Sequence, residues 1–366
     1  MKIIEVTNVD FSLRHFLLPV MRGLRARGHE VIGVSADGPL LDVARAEGFR
    51  VVPLPMARSL SPAAQVRAFR ALLKLFRAER PDMVHAHMPI SGFLARLAAR
   101  AAGVRRIAYT SHGDLYNQPG PWLRRAAGFA MEWLGGRMTD TYLTVSVEQA
   151  ADARRLGLHR HAEAAGNGRD ATQLRPDADA RARLRAEFGV APDRVVVVII
   201  SRLVRAKGYV ELLAAMRDVN AELWVVGSRL PSDHDENIER YFADSGLGER
   251  LRRLGYREDI AAILAASDIF VLPSYSEGLP MSVIEAMFCA LPVVATNIRG
   301  PREQVVAGET GLLVPPRDIA PLAAALRLLA GDADLRARMG AAGRARALAL
   351  YEEGRVVART LDLLGA

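Results

Sequence analysis

Cysteine is nearly missing from this chain, with Cys289 the only one in 366 residues. An internal disulfide and a cysteine-based zinc cage are thereby excluded, which fits a reducing compartment. No run reaches the ~18 uncharged apolar residues that a membrane-spanning helix needs. The opening MKIIEVTNVD lacks the basic, apolar and small-residue sections of a secretion signal and reads instead as a first buried strand. The expected location is cytoplasmic. Short repeats and low-complexity tracts are lacking as well. G-x-S-x-G, the mark of a nucleophile elbow, does not occur, and where a dinucleotide fingerprint would follow the first strand, residues 7–15 read TNVDFSLRH. That second absence argues against an NAD-dependent dehydrogenase. Aromatic residues make up only 6%, and no stacking motif or zinc spacing accompanies them. The net charge of +8 therefore points to an anionic ligand or membrane surface, with no nucleic acid expected.

What is present suits a two-domain α/β protein. Half the residues are hydrophobic and a quarter charged, so cores of ordinary size can form without staples. Apolar and β-branched runs predict strands over 2–7, 31–35, 51–54, 83–87, 106–110, 142–145, 195–200, 222–226, 252–254, 269–272 and 311–314. Amphipathic helices alternate with them, among them 13–27, 91–102, 211–219, 320–329 and a tail from 332 to 364 with a break near 351–354. Such alternation means βαβ units and parallel sheets. The GNGRD segment at 166–170 begins a loop rich in Gly, Asn, Asp and Pro. It divides the chain into an expected domain at 1–168 and another at 169–351, with the helix at about 352–366 returning to the first. The strand C-terminal ends are expected to line a central cleft.

The stretch 268–296, DIFVLPSYSEGLPMSVIEAMFCALPVVAT, carries the densest chemistry. It reads as a buried strand, a small-residue loop and a helix with Pro280 at its first position. Gly278 permits close backbone approach, and the amides of Leu279, Met281 and Ser282 fall where a helix attracts anions. Glu277 and Glu285 frame this turn, about 12 Å apart if the helix is regular. That separation suits opposite ends of an extended ligand better than one shared bond. At the end of the strand VVVVII, Arg202 and Lys207 flank a turn, and both residue types bind phosphate oxygens. His85 and His87 are read as pointing to opposite faces of their strand, hence as a poor metal pair. His112 ends another strand and is aimed into the cleft. A metal-independent site is expected, with no cofactor.

The spacing of Arg202, Lys207, Glu277 and Glu285 within RLVRAKG and SYSEGLPMSVIEAM resembles the retaining GT-B glycosyltransferases of the glycogen-synthase-like and bacterial surface-polysaccharide group. GYRED, DIFVLPS, ATNIRGPRE, GETGLLVPP, YTSHG and GNGRD match as well, so the resemblance spans nearly the whole chain. It implies two Rossmann-like domains. It also implies that Arg202 and Lys207 hold the donor diphosphate, Glu277 the sugar hydroxyls, backbone at Gly278, Leu279, Pro280 and Met281 the sugar and phosphates, and Glu285 the ribose. Tyr256 and Arg257 would contact the base, His112 the sugar near its reacting carbon, and Asn167 would face the cleft. The substrate is then a nucleoside-diphosphate sugar, UDP-linked, with a glycan or polyprenyl-diphosphate acceptor. Epimerase or phosphorylase activity on the same fold, or nucleotide-sugar binding without catalysis, are the alternatives. The chain departs from many relatives in lacking glycine at 8–12, so the loop after the first strand differs.

A helix over 64–80 carries Arg67, Arg70, Lys74 and Arg77 beside an apolar stripe of Val66, Phe69, Leu72, Leu73 and Phe76. With Trp122, Arg124 and Arg125 beyond the loop SHGDLYNQPGPW, it forms the expected docking face for anionic lipid, which makes the protein peripheral at the inner face of the cytoplasmic membrane.

Overall fold

The β-branched runs pair in parallel in two sheets. A computed structural model describes residues 1–56, 61–118, 120–229 and 237–366. The first sheet contains β1 (Lys2–Val6), β2 (Glu30–Ser35), β3 (Arg50–Pro53), β4 (Met83–His87), β5 (Arg106–Ser111), β6 (Thr141–Thr144) and β7 (Glu163–Ala164), in the order β3-β2-β1-β4-β5-β6-β7. The second contains β8 (Val196–Ile200), β9 (Glu222–Val226), β10 (Leu251–Gly255), β11 (Ile269–Leu272), β12 (Val293–Thr296) and β13 (Gly311–Val314), in the order β10-β9-β8-β11-β12-β13. In each sheet the winding reverses beside the strand that begins it, between β1 and β4 and between β8 and β11. Such switch points are where open parallel sheets bind ligands.

Helices cover both faces of each sheet, which is why the central strands read as continuous apolar runs. All of β11 is buried, as are Val196 to Ile199 of β8. Each such aliphatic side chain contributes roughly 1.5–3 kcal/mol when fully withdrawn from water. β4 is buried throughout as well, although two of its five residues are histidines.

The chain divides into two units, Met1–Asn167 with Gly354–Ala366, and Gly168–Glu353. The break in the tail falls between the helices Ala333–Leu350 and Glu353–Leu364. The first packs within the second unit, where Gly340 lies so close to Ala290 that a Cβ would stand 1.9 Å from its carbonyl oxygen. The last helix belongs to the first unit. It buries Val356, Leu361 and Leu364, and Arg27 Nη2 donates to Asp362 at 2.7 Å.

Two strands, β7 and β12, were not expected. β7 is only two residues long, and β12 follows the helix Met281–Phe288 after four residues, too closely for periodicity to separate them. The helix expected at 13–27 starts earlier, at Asp10, and contains a π-helical turn at Leu13–Leu17. Pro280 stands one residue before its helix rather than at the first position, since its ψ of 124° is extended and its carbonyl accepts from Gln304 Nε2 at 2.9 Å.

Candidate active site

β8 ends at Ile200, and the following loop must turn sharply back to the buried helix Tyr209–Ala215. Gly208 makes that turn with a φ of +76°, and a Cβ there would lie 2.1 Å from the carbonyl oxygen of Pro273. Only glycine permits both the conformation and the approach. The loop is thereby drawn against the segment after β11, and the Tyr275 amide donates to the Ala206 carbonyl at 2.9 Å. Lys207 then meets Glu277, its Nζ donating to Oε1 at 2.6 Å with both side chains largely withdrawn from solvent. Arg202 sits exposed at the start of the same loop.

The segment from Ser274 to Pro280 is fixed by its neighbours. Thr296 Oγ1 donates to the Ser274 carbonyl at 2.6 Å. Gly300, at φ +89°, comes so near Gly278 that a Cβ would lie 2.3 Å from the Gly278 oxygen. The eight-residue helix Met281–Phe288 follows. No side chain caps this helix at Pro280, and uncapped amides at a helix start attract anions in general. One turn further on, Glu285 Oε1 accepts from Arg169 Nε at 2.7 Å.

Arg169 is a residue that the sequence reading missed. Its peptide is held between Tyr351 and Glu353, with Arg169 N donating to Tyr351 O at 2.9 Å and Glu353 N to Arg169 O at 3.1 Å. Nothing in GNGRD announces a partner 116 residues away. Each of the two acids thus engages its own cation. Arg257 does not offer its guanidinium to a ligand as it stands, because Asp259 grips it at 2.7 and 2.6 Å. The adjoining Tyr256 is exposed, and Asn167 is buried at the end of the first unit.

In the first unit, β1 and β4 pair with Glu5 opposite His85. His85 and His87 do not point to opposite faces. Residues two apart on a strand share a face, and their ring centroids lie 4.1 Å apart. Glu5, fully buried, faces both: Oε1 is 3.0 Å from His85 Nδ1, and Oε2 is 2.8 Å from His87 Nε2. His85 Nε2 reaches Thr110 Oγ1 at 2.8 Å, and His87 Nδ1 reaches His112 Nε2 at 3.1 Å. Phe16, brought in by the π-helical turn, lies 5.3 Å from the His112 ring. Burial alone would push the Glu5 carboxyl up, but the charge and hydrogen bonds of His85 and His87 outweigh it and hold it at about 2. Burial, with His85 adding repulsion, lowers His87 to about 4, and burial beside His87 and His85 keeps His112 well below the usual histidine range.

Among the described residues, Glu5, His85 and His87 form a group able to hold a metal ion, their ligand atoms all within 4.8 Å of one another. Because His85 and His87 share a face, they are a pair after all, with Glu5 as the third member. An acid in the centre of an apolar strand has to be buried with a partner, and that was the signal available. In the arrangement present, each carboxylate oxygen faces a different ring, as in a hydrogen-bonded chain.

The second unit matches the family model described as "Glycosyl transferases group 1" over residues 180–346, and the first matches "Glycosyl transferase 4-like domain" over 14–168. A GDP-mannose-dependent alpha-(1-6)-phosphatidylinositol monomannoside mannosyltransferase of Mycobacterium tuberculosis is 30% identical over 340 residues, covering 88% of this chain and 85% of that protein. The UDP-Gal:alpha-D-GlcNAc-diphosphoundecaprenol alpha-1,3-galactosyltransferase of Escherichia coli is 28% identical, covering 77% and 75%. Among solved structures, Anabaena HepE in complex with UDP and glucose superposes with a TM-score of 0.85 at 20% identity, covering 100% and 99%. Two Rossmann-like units of seven and six parallel strands make this the GT-B fold, and the chain is a glycosyltransferase that belongs to the group 1 family.

Proposed function

We propose that this glycosyltransferase moves a hexose or N-acetylhexosamine from a nucleoside-diphosphate sugar, UDP-linked, to a glycan or polyprenyl-diphosphate-linked acceptor, with retention at the anomeric carbon and without a metal ion. The observation that carries this reading is the Lys207–Glu277 pair at the N-terminal end of the helix Met281–Phe288. Breaking the bond between the sugar carbon and the phosphate oxygen leaves its electron pair on the diphosphate. Fixed cations and oriented amides are the groups that stabilise such charge. Lys207 and Arg202 take the phosphate oxygens, and the amides from Gly278 to Met281 supplement them. Glu277 receives sugar hydroxyls, and Glu285, steadied by Arg169, receives the ribose. Backbone at Tyr256 and Arg257 takes the base, His112 the sugar beside its reacting carbon, and Asn167 faces the ligand. The acceptor hydroxyl forms the new bond on the face the phosphate leaves, and its proton goes to the departing phosphate oxygen.

Both curated relatives carry a nucleoside-diphosphate sugar and a lipid in their names, which supports those two classes here. They differ in the base, so GDP-linked donors are the second reading. Thermal shift with UDP- and GDP-sugars decides between them, because a ligand that binds the native state stabilises it. Lys207→Ala and Glu277→Ala are each expected to lower transfer by about 10²–10³-fold with unchanged far-UV circular dichroism. Near-normal turnover in either variant would overturn the assignment. The anomeric proton coupling of the product tests retention. We further assign the first unit a peripheral contact with the cytoplasmic face of an anionic membrane.

A further inference from the structure

We infer that Glu5, acting through His87, locks His112 as the neutral Nε2–H tautomer, so that His112 offers its Nδ1 to a ligand solely as a hydrogen-bond acceptor for a hydroxyl. The ligand part of this statement rests on the sugar-binding reading of His112, whereas the tautomer part does not.

An ionised carboxylate can only accept, so both rings facing Glu5 must donate to it, His85 from Nδ1 and His87 from Nε2. A neutral imidazole has a single N–H. His87 has spent it on Glu5, and its Nδ1 is left as an acceptor. The atom 3.1 Å away, His112 Nε2, must therefore be the donor. His112 is neutral too, so its Nδ1 carries a lone pair. That nitrogen is buried and has no hydrogen-bond partner. An unpartnered buried acceptor is unfavourable, and a ligand hydroxyl that donates to it relieves that cost.

The opposite polarity would require His87 as an imidazolium, donating from both nitrogens. Against that stand its burial and the neighbouring rings. The groups facing His87 are Glu5 from β1, His85 on its own strand and His112 after β5, while the Ser91 hydroxyl takes only its carbonyl. Glu5 and His87 are thus positioning residues, acting on a ligand only through His112. The consequence is selectivity by hydrogen-bond sense. A sugar hydroxyl is accepted at this point, whereas an ether or fluorine, which cannot donate, leaves Nδ1 unpaired.

The test is a long-range ¹H–¹⁵N spectrum of the ligand-free, ¹⁵N-histidine-labelled full chain between pH 6.5 and 8, with His112→Asn and His87→Phe used for assignment. Both His87 and His112 are expected to show a protonated Nε2 and an unprotonated Nδ1. A protonated Nδ1 on either ring, or an imidazolium on either at pH 7, overturns the inference. In folded His87→Phe the His112 Nδ1 resonance is expected to move from its unprotonated position toward the tautomer average, and an unchanged position there removes the role given to His87. If that variant fails to fold, the wild-type spectrum alone decides. Failure of donor binding with the expected spectrum would instead count against the sugar-binding reading.

Discussion

Glu5 and His87 have almost no exposed surface, and both titrate lower in the folded protein than in the unfolded chain. The sign of the effect follows from each shift. His87 titrates near 4 in the folded protein against 6.5 when unfolded, so it contributes full stability above pH 6.5 and loses it as the pH falls toward 4. His112 is shifted the same way. Glu5, at about 2 against 4.5, adds a second loss between pH 4.5 and 2. Unfolding of the first unit in urea is therefore expected to be easier at pH 4 than at pH 7, by on the order of 3 kcal/mol for His87 alone. His87→Phe should flatten the upper part of this profile, and a flat wild-type profile would sink the argument. Of the residues in this network, His112 stood out in the sequence as a polar group at a strand end. Glu5 was hidden by the apolar company in which it is buried.

At the scale of elements, two short loops carry most of what is specific in the second unit. Gly208 and Gly300 are placed where their missing Cβ atoms let the loop after β11 be gripped from both sides, through Pro273 and Gly278. Gly208→Ala would strain a left-handed backbone and press a methyl group on a carbonyl that the Tyr275–Ala206 hydrogen bond holds in place. The expected cost is roughly 1–3 kcal/mol. Because Lys207 is adjacent, stabilisation by nucleotide-sugar in a thermal-shift assay should be lost as well, and retention of the full donor-induced shift would refute this placement. Strands and their parallel pairing were legible as apolar runs separated by amphipathic stretches. The π-helical turn at Leu13–Leu17 was not, since one extra residue in a turn leaves the periodicity of so short a segment unchanged.

For the whole molecule the question is where its positive charge acts. Arg67, Arg70, Lys74 and Arg77 are exposed along the helix Pro62–Glu79. Val66 is exposed too, rather than part of the apolar stripe, while Ala68, Leu72 and Phe76 are buried against the sheet. At the start of the helix Trp122–Gly136, Trp122 is 73% and Leu123 63% exposed, followed by exposed Arg124 and Arg125. Pro119 in the preceding loop lies outside the described residues. No helix among the described residues is long and apolar enough to cross a membrane. Basic side chains together with an exposed tryptophan suit the surface of an anionic bilayer. Co-sedimentation with phosphatidylserine-containing liposomes is expected at low salt, with weaker binding at high salt and in Trp122→Ala. No binding at low salt would remove the membrane part of the proposal.

The amino-acid order by itself determined most of the segments that become strands, that they pair in parallel, and that Glu277 and Glu285 bracket a helix start. These properties follow from side-chain period, β-branching and local backbone freedom, all of which act over a few residues. Tertiary structure decided the partners. Lys207 meets Glu277 across 70 residues, Glu5 meets His87 across 82, and Arg169 meets Glu285 across 116. The first two contacts depend on β11 lying beside β8 and β4 beside β1. The third depends on the segment Tyr351–Glu353 returning to hold the Arg169 peptide. Strand order and chain return are properties of how whole βαβ units pack, and local periodicity carries no record of them.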